Sequence, residues 1–136
     1  MVHMPAFGES VLDDPAVLKY LDSQTLGRLA TVDKSGAPQN SPVSFTINHE
    51  LGTIDIGGYT MSTSRKYRNL ATNDRVAFVV DDVFSVRPWK VRMVEIRGRG
   101  EQVPGTTSEP GHDDALIRVH PDRVIVFGIT SASTAE

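Results

Sequence analysis

The chain reads as a mainly β protein, an antiparallel barrel with a few short helices. Three features point there. Short runs rich in β-branched and aromatic residues recur along the sequence, at Leu26–Val32, Pro38–Ile47, Thr53–Ile56, Arg75–Val80, Val91–Arg99 and Arg123–Ile129. Glycine- and polar-rich turns separate several of them. The strands follow one another without a regular alternation of long helices, which a parallel sheet would need.

In chain order, Met1–Ser10 reads as a lead-in, and flexible ends are expected over 1–12 and 131–136. Asp13-Asp14-Pro15 starts a helix, since acidic residues suit a first turn and proline tolerates an early position. Val17, Leu18 and Leu21 share its apolar face, and Asp22–Thr25 ends it. Leu26–Val32 is a first strand, with Leu26, Arg28 and Ala30 on one side and Leu29 on the other. Asp33-Lys34-Ser35-Gly36 has the composition of a hairpin turn. Pro38–Ile47 is a second strand, and Pro42, lacking an N–H, confines it to a sheet edge or a bulge. Val83–Lys90 reads as a loop, Val91–Arg99 as a strand, and the Pro/Gly/Ser/Thr-rich segment 104–111 as a surface loop. Asp113–Val119 is a helical turn or a strand, His120-Pro121-Asp122 a turn, and Arg123–Ile129 a last apolar strand. All of this fits one domain over residues 1–136.

The stretch from Leu51 to Asp82 organises the rest. Thr53-Ile54-Asp55-Ile56 ends at Gly57-Gly58. A small polar turn follows, Tyr59–Ser64, and then Arg65, Lys66 and Arg68 arrive within one helical turn. Hydroxyls and free backbone N–H groups collect where a strand gives way to a helix, and cations at the same end suit a phosphate. The same residues also fit a plainer arrangement, in which Ser62 or Ser64 caps the helix and the cations face solvent. The turn alone leaves both open.

Composition removes several classes of function. The 136 residues carry a formal net charge of -3, against the basic excess usual for nucleic-acid binding. With no cysteine there is no disulfide, thiolate nucleophile or cysteine-ligated metal. The sequence shows no long apolar span and no charged-then-apolar leader, so a cytoplasmic protein without a membrane partner is expected. His3, His49, His112 and His120 lack ligand-like spacing, and no metal site is expected. Asp113 and Asp114 beside His112 read as a solvated loop, and Asp81-Asp82 as a charged strand end. Trp89, the single tryptophan, sits beside cations, where it either stacks on an aromatic ligand or partner or anchors its own loop.

Taken together, Tyr59-Thr60 and Ser64-Arg65-Lys66 resemble the phosphate-binding segment of the pyridoxamine 5′-phosphate oxidase superfamily of split β-barrels, the flavin-reductase or FMN-binding type, and Arg68-Asn69-Leu70 with Asn73-Asp74-Arg75-Val76 resemble the continuation that follows it there. Leu26–Val32 with Gly36-Ala37-Pro38-Gln39 resembles that family's first hairpin. The resemblance covers roughly Asp13 to Glu101 and returns at Arg123–Ile129. The family's oxidases carry an Arg and a Lys on the strand before the Tyr-Thr pair, where this chain has Gln39–Ser44, and a Gln where it has Met93. Oxidation of pyridoxine phosphate is therefore not expected. LGTIDIGG, SRKYRN, RVAFVVDD and PWKVRMVEIRG resemble instead the branch that uses the deazaflavin coenzyme F420.

The resemblance implies a homodimer with cofactor sites at the subunit interface, and an oxidoreductase that passes a hydride from F420 to a small organic acceptor. FMN is the alternative cofactor, and a non-enzymatic cofactor- or tetrapyrrole-binding barrel the alternative function. It implies anchors and no catalytic side chain: Tyr59, Thr60, Met61, Ser62, Ser64, Arg65 and Lys66 around the phosphate and ring edge. Val43 and Ser44 would back the ring, with Arg87, Trp89 and Lys90 reaching in from the second subunit.

Overall fold

The computed structural model describes residues 11–106 and 113–130. Helix α1 (Pro15–Asp22) begins where the sequence placed it. Asp14 is its N-cap, the carboxylate accepting the Ala16 N–H at 2.9 Å, and Pro15 takes the first helical position. Val17, Tyr20 and Leu21 turn into the core. Leu12, within the expected flexible segment 1–12, is buried there too. Residues 1–10 and 131–136, the other expected flexible segments, lie outside the described residues, as do 107–111 of the expected 104–111 loop and His112.

Seven strands form one antiparallel sheet: β1 (Leu26–Val32), β2 (Pro38–Ser44), β3 (Thr46–Asn48), β4 (Thr53–Gly57), β5 (Arg75–Ser85), β6 (Lys90–Val103) and β7 (Leu116–Phe127). Their spatial order is β2-β1-β5-β6-β7-β4-β3. The strands at its two ends, β2 and β3, are consecutive in the chain with only Phe45 between them. The sheet must therefore curl on itself, giving a half-barrel with a second short helix, α2 (Arg65–Asn69), beside it. Phe45 closes the seam, its ring edge-on to Phe78 at 5.1 Å between centroids.

The core is the inward row of each strand. Leu29, Ile54, Ile56, Phe78, Val80, Val94, Ile96, Ile117 and Val119 are fully buried. Each such side chain contributes about 1.5–3 kcal/mol by leaving water. The alternation foreseen in β1 holds: Leu26 and Arg28 face out, Leu29 and Thr31 in. Gly36 takes φ +90° in the β1–β2 turn, a conformation open mainly to glycine. Pro42 lies on β2, which pairs only with β1 and is an edge, as expected.

Four expectations are corrected. Pro38–Ile47 is two strands, because the chain changes partner at Phe45: β2 pairs with β1 and β3 with β4. The loop expected at Val83–Lys90 is narrower, since β5 and β6 keep pairing out to Ser85 and Lys90. Beyond Arg99, β6 continues to Val103, paired with β7. His120-Pro121-Asp122 is not a turn. Strand β7 runs through it, and the pairing shifts there from Arg97↔Arg123 to Gly98↔Pro121, leaving Asp122 as the extra residue of a bulge. The bulge accommodates the missing N–H of Pro121 within the strand. Asp113–Val119 resolves as the approach to β7 and its first residues. No described helix is long and apolar enough to cross a membrane.

Candidate functional site: the turn between β4 and α2

Strand β4 delivers Gly57-Gly58 to the surface, Tyr59 and Thr60 follow, and Met61–Thr63 form a single 3₁₀ turn that runs into α2. Tyr59 is 91% exposed, a bare aromatic face at the lip of the turn. Met61 is 1% exposed and fills the core under it, so its side chain supports the turn and does not face a ligand.

The hydroxyls of Ser62, Thr63 and Ser64 are engaged. Ser64 is the N-cap of α2: its Oγ accepts the Tyr67 N–H at 3.3 Å and donates to the Met61 carbonyl at 2.7 Å. The capping arrangement that the sequence left open is thus observed for Ser64. Thr63 donates to the Thr60 carbonyl at 3.2 Å. Ser62 donates both its backbone N–H and its hydroxyl to Oδ2 of Asp113, each at 2.8 Å. These two donors, with the Ala115 N–H on the other oxygen at 3.1 Å, hold the Asp113 carboxyl below the usual carboxylate range, the Ser62 N–H most strongly.

The cations are in a different state. Arg65 and Arg68 are exposed and Lys66 half-buried, and none of the three has an ion pair among the described residues. Arg65 lies close enough to Asp33 to add to the Ser35 and Ala37 hydrogen bonds that lower that carboxyl. A positively charged rim therefore stands on the outer side of α2. The helix itself is fixed from behind. Asn69, buried, donates to Thr31 Oγ1 at 3.0 Å and Gln39 Oε1 at 3.2 Å, tying α2 to the β1–β2 hairpin. Gln102 donates to the Tyr67 carbonyl at 2.8 Å and ties it to β6.

Not every residue named from the sequence reaches the turn. Val43 is buried in the core and Ser44, next to it, is exposed at the end of β2. Trp89 and Lys90 stand at the far tip of the β5–β6 hairpin. Gln102, which touches α2, lies near the opposite end of β6. At about 3.3 Å per residue that separation is roughly 35–40 Å along the strand. Within a single chain, Arg87, Trp89 and Lys90 do not join the turn. Two residues that matter here were read otherwise in the sequence: Asn69 only as part of the Arg68-Asn69-Leu70 resemblance, with no sign of its cross-links, and Asp113 as part of a solvated loop, whereas it meets Ser62 across 51 positions.

The donor set fits a phosphate group. Two cations, Arg65 and Lys66, follow a polar turn and make no ion pair among the described residues, and the neighbouring hydroxyls hold the turn's shape. Side chains that could ligate a metal are not clustered among the described residues.

Comparison with known proteins identifies the family. A family model described as pyridoxamine 5′-phosphate oxidase matches residues 13–126. A 5a,11a-dehydrotetracycline/5a,11a-dehydrooxytetracycline reductase from Streptomyces rimosus subsp. rimosus is 51% identical over 114 residues, covering 82% of this chain and 80% of the relative. A solved structure named F420 reductase is 28% identical, with a TM-score of 0.57 over 74% of this chain and 89% of its own. A conserved hypothetical protein from Mycobacterium tuberculosis, 20% identical, shares the fold with a TM-score of 0.67 over 88% of this chain and 86% of its own. A curled antiparallel sheet, the basic segment after β4 and a sequence match over most of the chain converge on one assignment: the chain belongs to the pyridoxamine 5′-phosphate oxidase family.

Proposed function

We propose that the protein is a reductase that binds the deazaflavin coenzyme F420 and reduces a small organic acceptor. The observation that carries this reading is the pair of cations Arg65 and Lys66, without an ion pair among the described residues, beside a turn ordered by the hydroxyls of Ser62, Thr63 and Ser64. The Streptomyces rimosus reductase and the F420 reductase structure support it. When bound, the reduced coenzyme supplies the hydride. Arg65 and Lys66 hold its phosphate, Ser64 keeps α2 in register for them, and Tyr59 offers an open ring at the lip of the site. These residues position and shield reactants, and no side chain of the turn is assigned as a proton donor. The acceptor class follows the relative's name: a fused polycycle with a carbon–carbon double bond to saturate.

The site is completed by a second copy. Leu26, Val83 and Phe127 are exposed apolar residues on the outer sheet face, and Trp89 is exposed in the β5–β6 hairpin. An apolar face of this kind suits burial against another chain. In a homodimer the tip carrying Arg87, Trp89 and Lys90 reaches the partner's turn, which it does not reach in its own chain.

FMN is the second reading, favoured by the family match itself. Fluorescence titration of the purified protein with F420 and FMN, side by side, separates the two. The proposal expects tighter binding of F420 and a protein that purifies colourless from a host lacking that coenzyme. A yellow protein that binds FMN and ignores F420 overturns it. Binding without turnover toward any double-bond acceptor supports a cofactor carrier instead.

A further inference from the structure

The Ser62–Asp113 contact places a negative charge beside the turn that the proposed function gives to a phosphate. Two donors from Ser62 meet one oxygen of Asp113 at 2.8 Å, and the Ala115 N–H meets the other at 3.1 Å. Three hydrogen bonds fix the carboxylate's position. It comes from the approach to β7, 51 residues from Ser62, so its presence is not a local consequence of the turn.

We propose that Asp113 is a specificity-determining residue of this site, disfavouring a phosphomonoester dianion relative to a phosphodiester monoanion. The inference rests on the reading of Arg65 and Lys66 as the phosphate anchors. A fixed charge opposes an incoming anion in proportion to that anion's charge. FMN ends in a phosphomonoester that is mostly dianionic above a pKa of about 6. F420 carries its phosphate as a diester with one charge. The cations attract both ligands, and Asp113 subtracts more from the dianion. The carboxyl is ionised throughout the neutral range, because Ser62 holds it below its ordinary value.

The test is the ratio of two affinities, not activity. Wild type, Asp113→Asn and the Arg65→Ala/Lys66→Ala double variant are titrated with FMN and with F420 at pH 7.5. Asn keeps an acceptor for Ser62 and removes the charge. A unit charge about 6 Å away in a water-like dielectric predicts about a threefold gain for the monoanion and about a tenfold gain for the dianion. The ratio of FMN to F420 affinity should therefore rise about threefold in D113N. Equal gains for both ligands, or weaker FMN binding, overturn the inference while a loss of both affinities in the double variant leaves the anchors standing. If the double variant binds both ligands as wild type does, the anchors and the inference fall together. Thermal melting checks that D113N is folded, and Asp113→Ser, which also removes the charge, is read by the same ratio.

Discussion

Arg65 is exposed, Lys66 half-buried, and both follow a turn held by Ser62, Thr63 and Ser64. Charge-assisted hydrogen bonds contribute about 1.5–3 kcal/mol each, less where solvent screens them. Replacing either cation alone with alanine should weaken cofactor binding by roughly tenfold, read by fluorescence titration, with little change in melting temperature. The opposite profile is expected at Asn69. Asn69→Ala removes two cross-links to Thr31 and Gln39 and should lower stability by about 1–3 kcal/mol in a urea titration, since it also leaves a buried partner unsatisfied. At this scale the sequence showed the residue types and their order. It did not show which donors were already engaged, because Asp113 and Thr31 lie far away in the chain. Met61 illustrates the limit: a polar neighbourhood in sequence, a core position in space.

Among the elements, β6 and β7 carry the longest ladder and its one bulge. A Cβ at Gly98 would lie 2.0 Å from the His120 carbonyl oxygen and 3.0 Å from its carbon. Backbone cannot yield as a side chain can, so Gly98→Ala should destabilise the fold by about 1–3 kcal/mol, measured by chemical denaturation. Ion pairs brace neighbouring strands. Burial raises the Asp55 carboxyl, but the Arg118 hydrogen bonds with those of Asn48 and Thr53 outweigh it, and Asp82 is lowered chiefly by Arg92. A carboxyl lowered on folding stabilises the native state above its unfolded value, near 3.8 here, and loses that contribution as pH falls through the folded value. Stability should therefore be level from neutrality to about pH 5 and decline below about pH 4, with a smaller decline in Asp55→Asn, followed by thermal melts across pH. The strands themselves were legible from their alternation and turns. Their lengths were not, because Val83–Ser85 and Gly100–Val103 pair only where a partner strand continues beside them. Pro121 read as a breaker because the bulge that admits it depends on Gly98 across the ladder.

For the whole molecule, the barrel class followed from short strands without long intervening helices, and the closure followed from Phe45 joining the two ends of the strand order. The strand order was not legible, since β4 pairs with β7 across the chain on register alone. The proposed dimer belongs to this scale too. Phe127 is 60% exposed on an outer face shared with Leu26 and Val83. Wild type should run as a dimer in size-exclusion chromatography with light scattering, and Val83→Asp with Phe127→Asp should give a folded monomer. That monomer should also bind cofactor more weakly, because the hairpin tip bearing Trp89 and Lys90 no longer reaches a neighbouring turn. The account stands most directly on the cationic rim beside the β4–α2 turn. Titrating F420 into wild type and into the Arg65→Ala/Lys66→Ala variant tests it: saturable binding that falls by at least tenfold in the folded variant is the expected result, and equal affinity in the two proteins would contradict it.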